Sequence, residues 1–386
     1  MEKNTFFDTK KKCDCNGCGV CALKCPVNAI TMVEDKEGFL YPSVDEEKCI
    51  KCNACKKFCG NINEKNTSDE KAYLAINNSK EQLRESSSGG MFQIIAEYVI
   101  NKGGVVFGVT YDNELTAIHT YAESMDECKA FSGSKYVRSD LNDSYIKVKE
   151  FLDLDRYVLF TGTACQISGL KKFLNKEYDK LILCDILCHA NPSPKVFKLY
   201  IKNIEKKSKK SVKNVLFRSK ENGWRNQTPI IQFKDKSKEE ENSYFNAFVK
   251  EMINRPSCYN CKFASKRRIT DFTIGDFWGY NNLFTDIDEK NGISLLNVNS
   301  RKGQDIFEKI KNKMTIREVD YDIACSYNHY HNVKEHRNRD KFFNGISSGK
   351  INDDNIIYYM NKYTKIAFIK KCINKVKKII KSIARK

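Results

Sequence analysis

Cys15, Cys18, Cys21 and Cys25 stand two, two and three residues apart in CNGCGVCALKCP, and Cys49, Cys52, Cys55 and Cys59 repeat that spacing in CIKCNACKKFC. Three thiolates so close in sequence can cap three corners of an iron-sulfur cubane, leaving the fourth corner to a cysteine from further away. Zinc held between paired Cys-x-x-Cys knuckles is the competing chemistry, and it does not call for this spacing twice with Pro26 in place. Gly60 stands where the second run would carry its proline, a departure that removes no ligand. A further pair is isolated: Cys258 and Cys261 form a Cys-x-x-Cys far downstream, in CYNCKF. Two thiolates hold a metal only with two more ligands, so this pair needs partners from elsewhere in the fold.

The surrounding elements must position these thiols. The two cysteine runs flank AITMVEDKEGFLYPSVD, which reads as a hairpin, so the N-terminal unit is two copies of one small module. A polar linker, NINEKNTSDE, follows it. From Lys71 the texture alternates between strand-like and helix-like segments. AYLAINN reads as a strand, SSSGGMFQIIAEYVINKGG as a Ser/Gly-rich helix start, an apolar helix and a Gly stop, and VVFGVTY as the next strand. RYVLFTG, TACQISGLKKFLNK and KLILCDILC give strand, helix and strand, a βαβ unit that sets its two strands parallel. SPKVFKLYIKNIEKKSKK reads as a helix, VKNVLFRSK and PIIQFKDK as strands around ENGW, and Asp271 to Gly279 as a buried strand ending in a turn.

The paired cysteine runs resemble those of bacterial two-cluster ferredoxins, in which the fourth cysteine of each run ligates the other cluster. That resemblance implies one [4Fe-4S] cluster on Cys15, Cys18, Cys21 and Cys59, and a second on Cys49, Cys52, Cys55 and Cys25. SSSGGMF, SGSKYVRSD, LFTGTACQISGL, DILCHANPS and CYNCKF with DFTIGDFWG, in that order over about Lys71 to Gly279, resemble the coenzyme F420 hydrogenase/dehydrogenase beta-subunit family. Members are iron-sulfur flavoproteins, so the resemblance implies FAD as the group that exchanges electrons between one-electron clusters and a two-electron acceptor. The chain departs from the family with GTACQ for the usual GTPCQ and CHANPS for the usual CHG, which bears on the substrate more than on the cofactor. The expected fold is α+β: a two-cluster ferredoxin-like domain over 1–62, a larger mixed α/β flavin-binding domain over 71–345, and a tail over 346–386 with a basic amphipathic helix.

Ser88, Gly89 and Gly90 offer backbone N–H groups at a helix start, which suits a phosphate or pyrophosphate; Ser and Gly also cap helices that hold no ligand. Ser134, Lys135 and Tyr136 supply a turn, a cation and a ring for a flavin, and without the family resemblance they read as an ordinary loop. Gly162, Thr163 and Gln166 sit where a strand gives way to a helix, the carboxyl edge at which open α/β sheets bind ligands. Cys165 opens that helix and Cys188 ends the parallel strand, so both belong at one sheet edge, whereas Cys184 belongs in the strand interior. A third [4Fe-4S] cluster on Cys165, Cys188, Cys258 and Cys261 is therefore expected, with zinc or metal-free buried thiols as the alternatives. His189 is a candidate catalytic proton donor to flavin or substrate; its bland alternative is a hydrogen bond to a backbone carbonyl. Cys13, Cys128, Cys325 and Cys372 read as incidental or packing thiols.

The formal net charge is +18, and ten Lys or Arg fall within residues 362–386 without one acid. With no zinc-finger, RNP or helix-turn-helix pattern, a nucleic-acid partner is not expected. Ile366, Ile369, Ile373, Val376, Ile380 and Ile383 recur there at helical spacing, a stripe suited either to an anionic membrane surface or to docking on protein. The opening residues show no apolar leader and no apolar run is long enough to span a bilayer, so the chain is expected in the cytoplasm, with a peripheral place on the membrane as the variant. There, seventeen cysteines point to metal or redox chemistry rather than disulfides. The function expected is that of an FAD- and [4Fe-4S]-dependent oxidoreductase acting on a small organic substrate. The alternatives are an electron-transfer subunit of a larger hydrogenase or dehydrogenase, working with a redox partner protein, or a membrane-surface redox enzyme of cell-envelope polysaccharide synthesis.

Overall fold

The computed structural model describes Phe7 and residues 10–59, 70–221, 223–226, 228–328 and 330–365. The hairpin between the cysteine runs forms as the sequence predicts: β1 (Ile30–Glu34) pairs antiparallel with β2 (Leu40–Val44), with Ile30 opposite Val44. One-turn helices Val20–Leu23 and Ala54–Lys57 flank it, each carrying the third cysteine of its run.

The body contains β3 (Lys71–Asn77), β4 (Val105–Tyr111), β5 (Ala117–Ala122), β6 (Val158–Thr163), β7 (Leu181–Ile186), β8 (Val212–Leu216), β9 (Ile230–Phe233), β10 (Lys238–Glu240), β11 (Phe272–Asp276), β12 (Ser294–Val298) and β13 (Met314–Val319). Eight of them form one mixed sheet in the order β13-β3-β12-β11-β7-β6-β4-β5, and β8, β9 and β10 form a separate small sheet. The βαβ unit is present as expected, with β6 and β7 parallel neighbours from Val158 opposite Leu181 to Thr163 opposite Ile186. Both strands begin with continuous apolar runs because helices cover the sheet on either side. β11 runs parallel to β7, with Phe272 opposite Cys184, so β6, β7 and β11 end at the same carboxyl edge.

Helices Met91–Ile100 and Arg301–Ile310 pack on one face of the sheet, and Ser144–Asp153 and Ala164–Leu174 on the other. Val20 of the N-terminal unit is fully buried in that second core. Gly169 permits this approach: a Cβ there would lie 2.8 Å from the Cys18 Cβ and 2.6 Å from the Tyr145 hydroxyl. The N-terminal unit is thus seated on the helix that follows β6.

A further core joins the small sheet to helices Pro194–Ser208, Ser243–Val249, Arg339–Ser347 and Ile356–Thr364. The boundary expected at residue 345 runs through helix Arg339–Ser347, and Ile351, Ile356 and Met360 beyond it are buried in the same core. Residues 366–386, with the isoleucine stripe and Cys372, lie outside the described residues. No helix of the described residues is long and apolar enough to cross a membrane.

Candidate functional site

Cys15, Cys18, Cys21 and Cys59, the thiols expected to share one cluster, lie within reach of one another's fields. Burial, then the neighbouring Cys15 and Cys59, push Cys18 up to about 11, and burial with Cys18, Cys15 and Cys59 pushes Cys21 up as well. The thiol repulsion that raises these values is what bound iron would neutralise. Lys10 Nζ lies 2.6 Å from Cys59 Sγ. In the second run, burial and the neighbours Cys49 and Cys52 push Cys55 up, while Cys25 Sγ accepts from the Ala29 N–H at 3.2 Å.

Cys165, Cys188, Cys258 and Cys261 line one cavity of about 60 Å³ at the carboxyl edge of the sheet. Chain pairing brings them there: Ser193 N–H donates to Ile253 O at 3.0 Å and Arg255 N–H to Asn191 O at 2.9 Å. That short antiparallel contact lays the turn Pro256–Asn260 beside Cys188. Burial, then the neighbouring thiols of Cys258, Cys165 and Cys261, push Cys188 well up, and Cys258 is pushed up to about 12 chiefly by burial. Among the described residues, no three Cys, His, Asp or Glu converge as a single metal ion needs. Four cysteine sulfurs are a donor set that either a [4Fe-4S] cubane or a tetrahedral zinc ion takes. Cys184 is buried in the sheet interior as expected, and Cys128 and Cys325 are buried on helices. Cys13, which its spacing leaves aside, lines the cavity too.

A second cavity, of about 460 Å³, opens next to the first and shares Thr163, Cys188 and His189 with it. This volume lies in the range of small-molecule and cofactor sites. Ser88, Gly90, Ser134, Lys135, Tyr136, Gly162, Thr163 and Gln166 line it. Gly89 does not: its N–H donates to Ser294 Oγ at 2.8 Å and a Cβ there would strike the Ala75 carbonyl. Of that predicted phosphate loop, then, Gly89 is a packing position. Lys135 Nζ donates to the carbonyls of Ala130 and Ser132, and burial lowers its pKa to about 7. Lys220 Nζ donates to Leu83 O and Ser88 O at 2.6 Å each, and burial lowers it to about 7 too. Lys135 lines the cavity, whereas Lys220 lies behind its wall and holds Ser86 and Ser88 in place. His189 Nε2 lies 2.5 Å from Glu251 Oε1, which sets a carboxylate beside the imidazole.

Gln166 serves a capping box with Thr163 and a buried chain of hydrogen bonds. Its Nε2 donates to Ser139 Oγ at 2.9 Å, and Ser139 Oγ lies 3.0 Å from His119 Nδ1. His119 Nε2 lies 3.1 Å from Thr161 O, so the carbonyl selects the tautomer with hydrogen on Nε2 and Ser139 donates to Nδ1. Burial holds His119 neutral, with its pKa lowered to about 4. The unfolded chain takes up this proton near pH 6.5, so stability is lost as pH falls through the window from about 6.5 to 4. The shift corresponds to roughly 3 kcal/mol. The unfolding midpoint in urea is expected to fall from about pH 7 to pH 4.5, with a shallower fall in His119→Gln; equal slopes in both proteins would exclude His119 as the source.

Sequence reasoning missed several residues. Asp276, at the end of β11, pairs with Arg218 and accepts from Trp224 Nε1 at 3.0 Å, and Trp224 stacks on Trp278 at 5.0 Å. Arg218 and Trp278 line the larger cavity. Arg138 and Arg255 contact the cysteine groups from inside the protein. Arg138 stands in the quoted SGSKYVRSD and Arg255 three residues before Cys258, so a cation beside a ligand run was the available signal.

Residues 155–323 match the family model for the C terminus of the coenzyme F420 hydrogenase/dehydrogenase beta subunit. Residues 14–61 match the 4Fe-4S dicluster domain. No curated protein matches the chain. Among solved structures, the chain is similar, at 14% identity and a TM-score of 0.45, to a chain of the xenon-derivatised F420-reducing [NiFe] hydrogenase complex from Methanosarcina barkeri, over 75% of this chain and 90% of that one.

Proposed function

For a chain whose residues 155–323 match the C-terminal model of the coenzyme F420 hydrogenase/dehydrogenase beta-subunit family and that carries a 4Fe-4S dicluster domain ahead of them, we propose an iron-sulfur electron-transfer subunit that works with a hydrogenase- or dehydrogenase-type partner. Four cofactor sites in series would make up its path. Cys15, Cys18, Cys21 and Cys59, and Cys49, Cys52, Cys55 and Cys25, would hold the two dicluster-domain cubanes. Cys165, Cys188, Cys258 and Cys261 would hold a third, and the larger cavity an FAD. When bound, these groups supply one-electron carriage and its pairing into two-electron chemistry.

The observation that carries this reading is adjacency. Cys18 packs on Gly169, within the helix that Cys165 opens, and Cys188 and His189 border both cavities. The residues around the larger cavity have separable roles. Lys135 would meet phosphate, Tyr136 and Trp278 would flank rings, and the buried Arg218–Asp276 pair fixes one wall. His189, aligned by Glu251, is the group placed to hold or deliver a proton at Nδ1 or Nε2.

Protein purified without oxygen should carry about twelve iron atoms per chain and show a flavin spectrum; eight iron and no flavin would overturn the reading. A second reading, an oxidoreductase with its own organic substrate, draws support from the volume of the cavity. Bound flavin that is reduced without substrate turnover by the isolated chain favours the subunit, and turnover favours the enzyme.

A further inference from the structure

Five arginines are buried among the described residues, and three of them have carboxylate partners: Arg218 with Asp276, Arg268 with Asp185, and Arg339 with Glu37. The other two, Arg138 at 8% exposure and Arg255 at 1%, form no ion pair with Asp or Glu among the described residues. A buried guanidinium without an anion is costly, so the charge calls for compensation from something nearby. What lies nearby is cysteine sulfur.

Arg138 Nη1 is 3.6 Å from Cys165 Sγ, and its Nη2 donates to the Gly17 carbonyl at 3.2 Å. Cys165, Tyr145 and Cys18 are the groups whose fields act on it. Arg255 Nε donates to Cys15 O at 2.9 Å, and its Nη2 donates to Leu40 O at 2.9 Å and reaches Cys15 Sγ at 3.9 Å. Its guanidinium lies 4.2 Å from the Tyr41 ring centroid, and its charge also acts on Cys258. Gly17 joins the two cations: its φ is +68°, its carbonyl accepts from Arg138, and a Cβ on it would fall 2.9 Å from Arg255 Nη1. Each arginine therefore faces one thiol group of the N-terminal unit and one of the sheet edge.

We propose that Arg138 and Arg255 are positioning residues for electron transfer, two buried cations shared between the Cys15–Cys18 site and the Cys165–Cys258 site that take the clusters as counter-ions and hold both reduction potentials up. Net charge and hydrogen bonds to sulfur are the terms that set such potentials, and a fixed positive charge in a dry interior is weakly screened. The arginines exchange no proton and break no bond; they bias a one-electron equilibrium whose electron comes from an external one-electron reductant. Placed between two sites, one cation favours the added electron on either side and so raises the two potentials together.

This inference rests on the third cluster proposed above, and the experiment separates the two. Redox titrations of the full chain with dithionite and mediator dyes, followed by electron paramagnetic resonance, give the midpoint of each cluster. Arg138→Gln and Arg255→Gln are each expected to weaken reduction at the two flanking clusters about tenfold, or about 59 mV for one electron. The cluster assigned to Cys49, Cys52 and Cys55 should stay put as an internal reference, and Arg138→Lys should recover most of the shift. Unmoved midpoints in both Gln variants with full iron would overturn the role of the arginines. Wild-type iron near eight would remove the third cluster instead, and the Cys15–Cys18 cluster would then report alone, in Arg255→Gln. If a Gln variant loses iron, retention in the matching Lys variant supports a requirement for charge, and loss in both overturns it.

Discussion

Replacing Cys258 with Ser is expected to remove about four of about twelve iron atoms per chain and to disconnect reduction of the N-terminal clusters from reduction of the flavin. Cys258 is 9% exposed and lies on a turn fixed against Asn191, whose N–H points at its sulfur at 3.3 Å. The same side chain is thus both a proposed ligand and a backbone acceptor. A serine oxygen can still accept that hydrogen bond but is a poor ligand for iron, so the fold should survive the substitution. Iron and acid-labile sulfide assays, with the stepwise bleaching of cluster and flavin absorption under dithionite, give the outcome. Full iron in Cys258→Ser would make the pair structural, and an unchanged iron count with lost zinc would restore the single-ion reading.

The second large effect concerns the seam between the N-terminal unit and the C-terminal helices. Arg339, on helix Arg339–Ser347, makes a bidentate pair with Glu37 in the β1–β2 turn, Nη1 to Oε1 at 3.1 Å and Nη2 to Oε2 at 2.5 Å. It also donates through Nε and Nη2 to the Asn254 carbonyl. Arg339→Met leaves the Glu37 carboxylate half of a buried pair, and removing one partner of such a pair costs about 3–5 kcal/mol. Melting should shift down by several degrees and limited proteolysis should reach the β1–β2 turn first. The double change Glu37→Leu with Arg339→Met should recover much of the loss, since an apolar pair of similar volume is often neutral there. With Glu37→Leu measured alone to close the cycle, a double variant whose loss equals the sum of the two single losses would mean that the pair contributes no coupling.

The cysteine runs show how far sequence reaches on its own. Their spacing is local, so it specifies a cluster-binding unit before any tertiary contact exists, and the hairpin between them follows from its own alternation and turn. The βαβ unit is legible for the same reason: apolar runs, a capping pair at Thr163 and Gln166, and a helix of ordinary length leave little choice of local structure. The carboxyl edge then gives Cys165 and Cys188 a common address. Lys135 and Tyr136 carried no such signal, since their place beside the larger cavity depends on loops from other parts of the chain.

What the sequence by itself determined is which thiols belong together within a run and which strands are parallel, because both are set by contacts between residues near in sequence. Only the tertiary structure decided that Ile253–Arg255 pairs with Asn191–Ser193 and so swings Cys258 and Cys261 up to Cys188, since strand pairing across that separation is chosen by the packing of the whole sheet edge. It also decided that Gly169 lets Cys18 approach, and that Arg138 and Arg255 lie between two thiol groups, with no carboxylate paired to them among the described residues. Neither residue type nor spacing can specify where a buried charge finds its counter-ion, because that depends on which distant surfaces are pressed together.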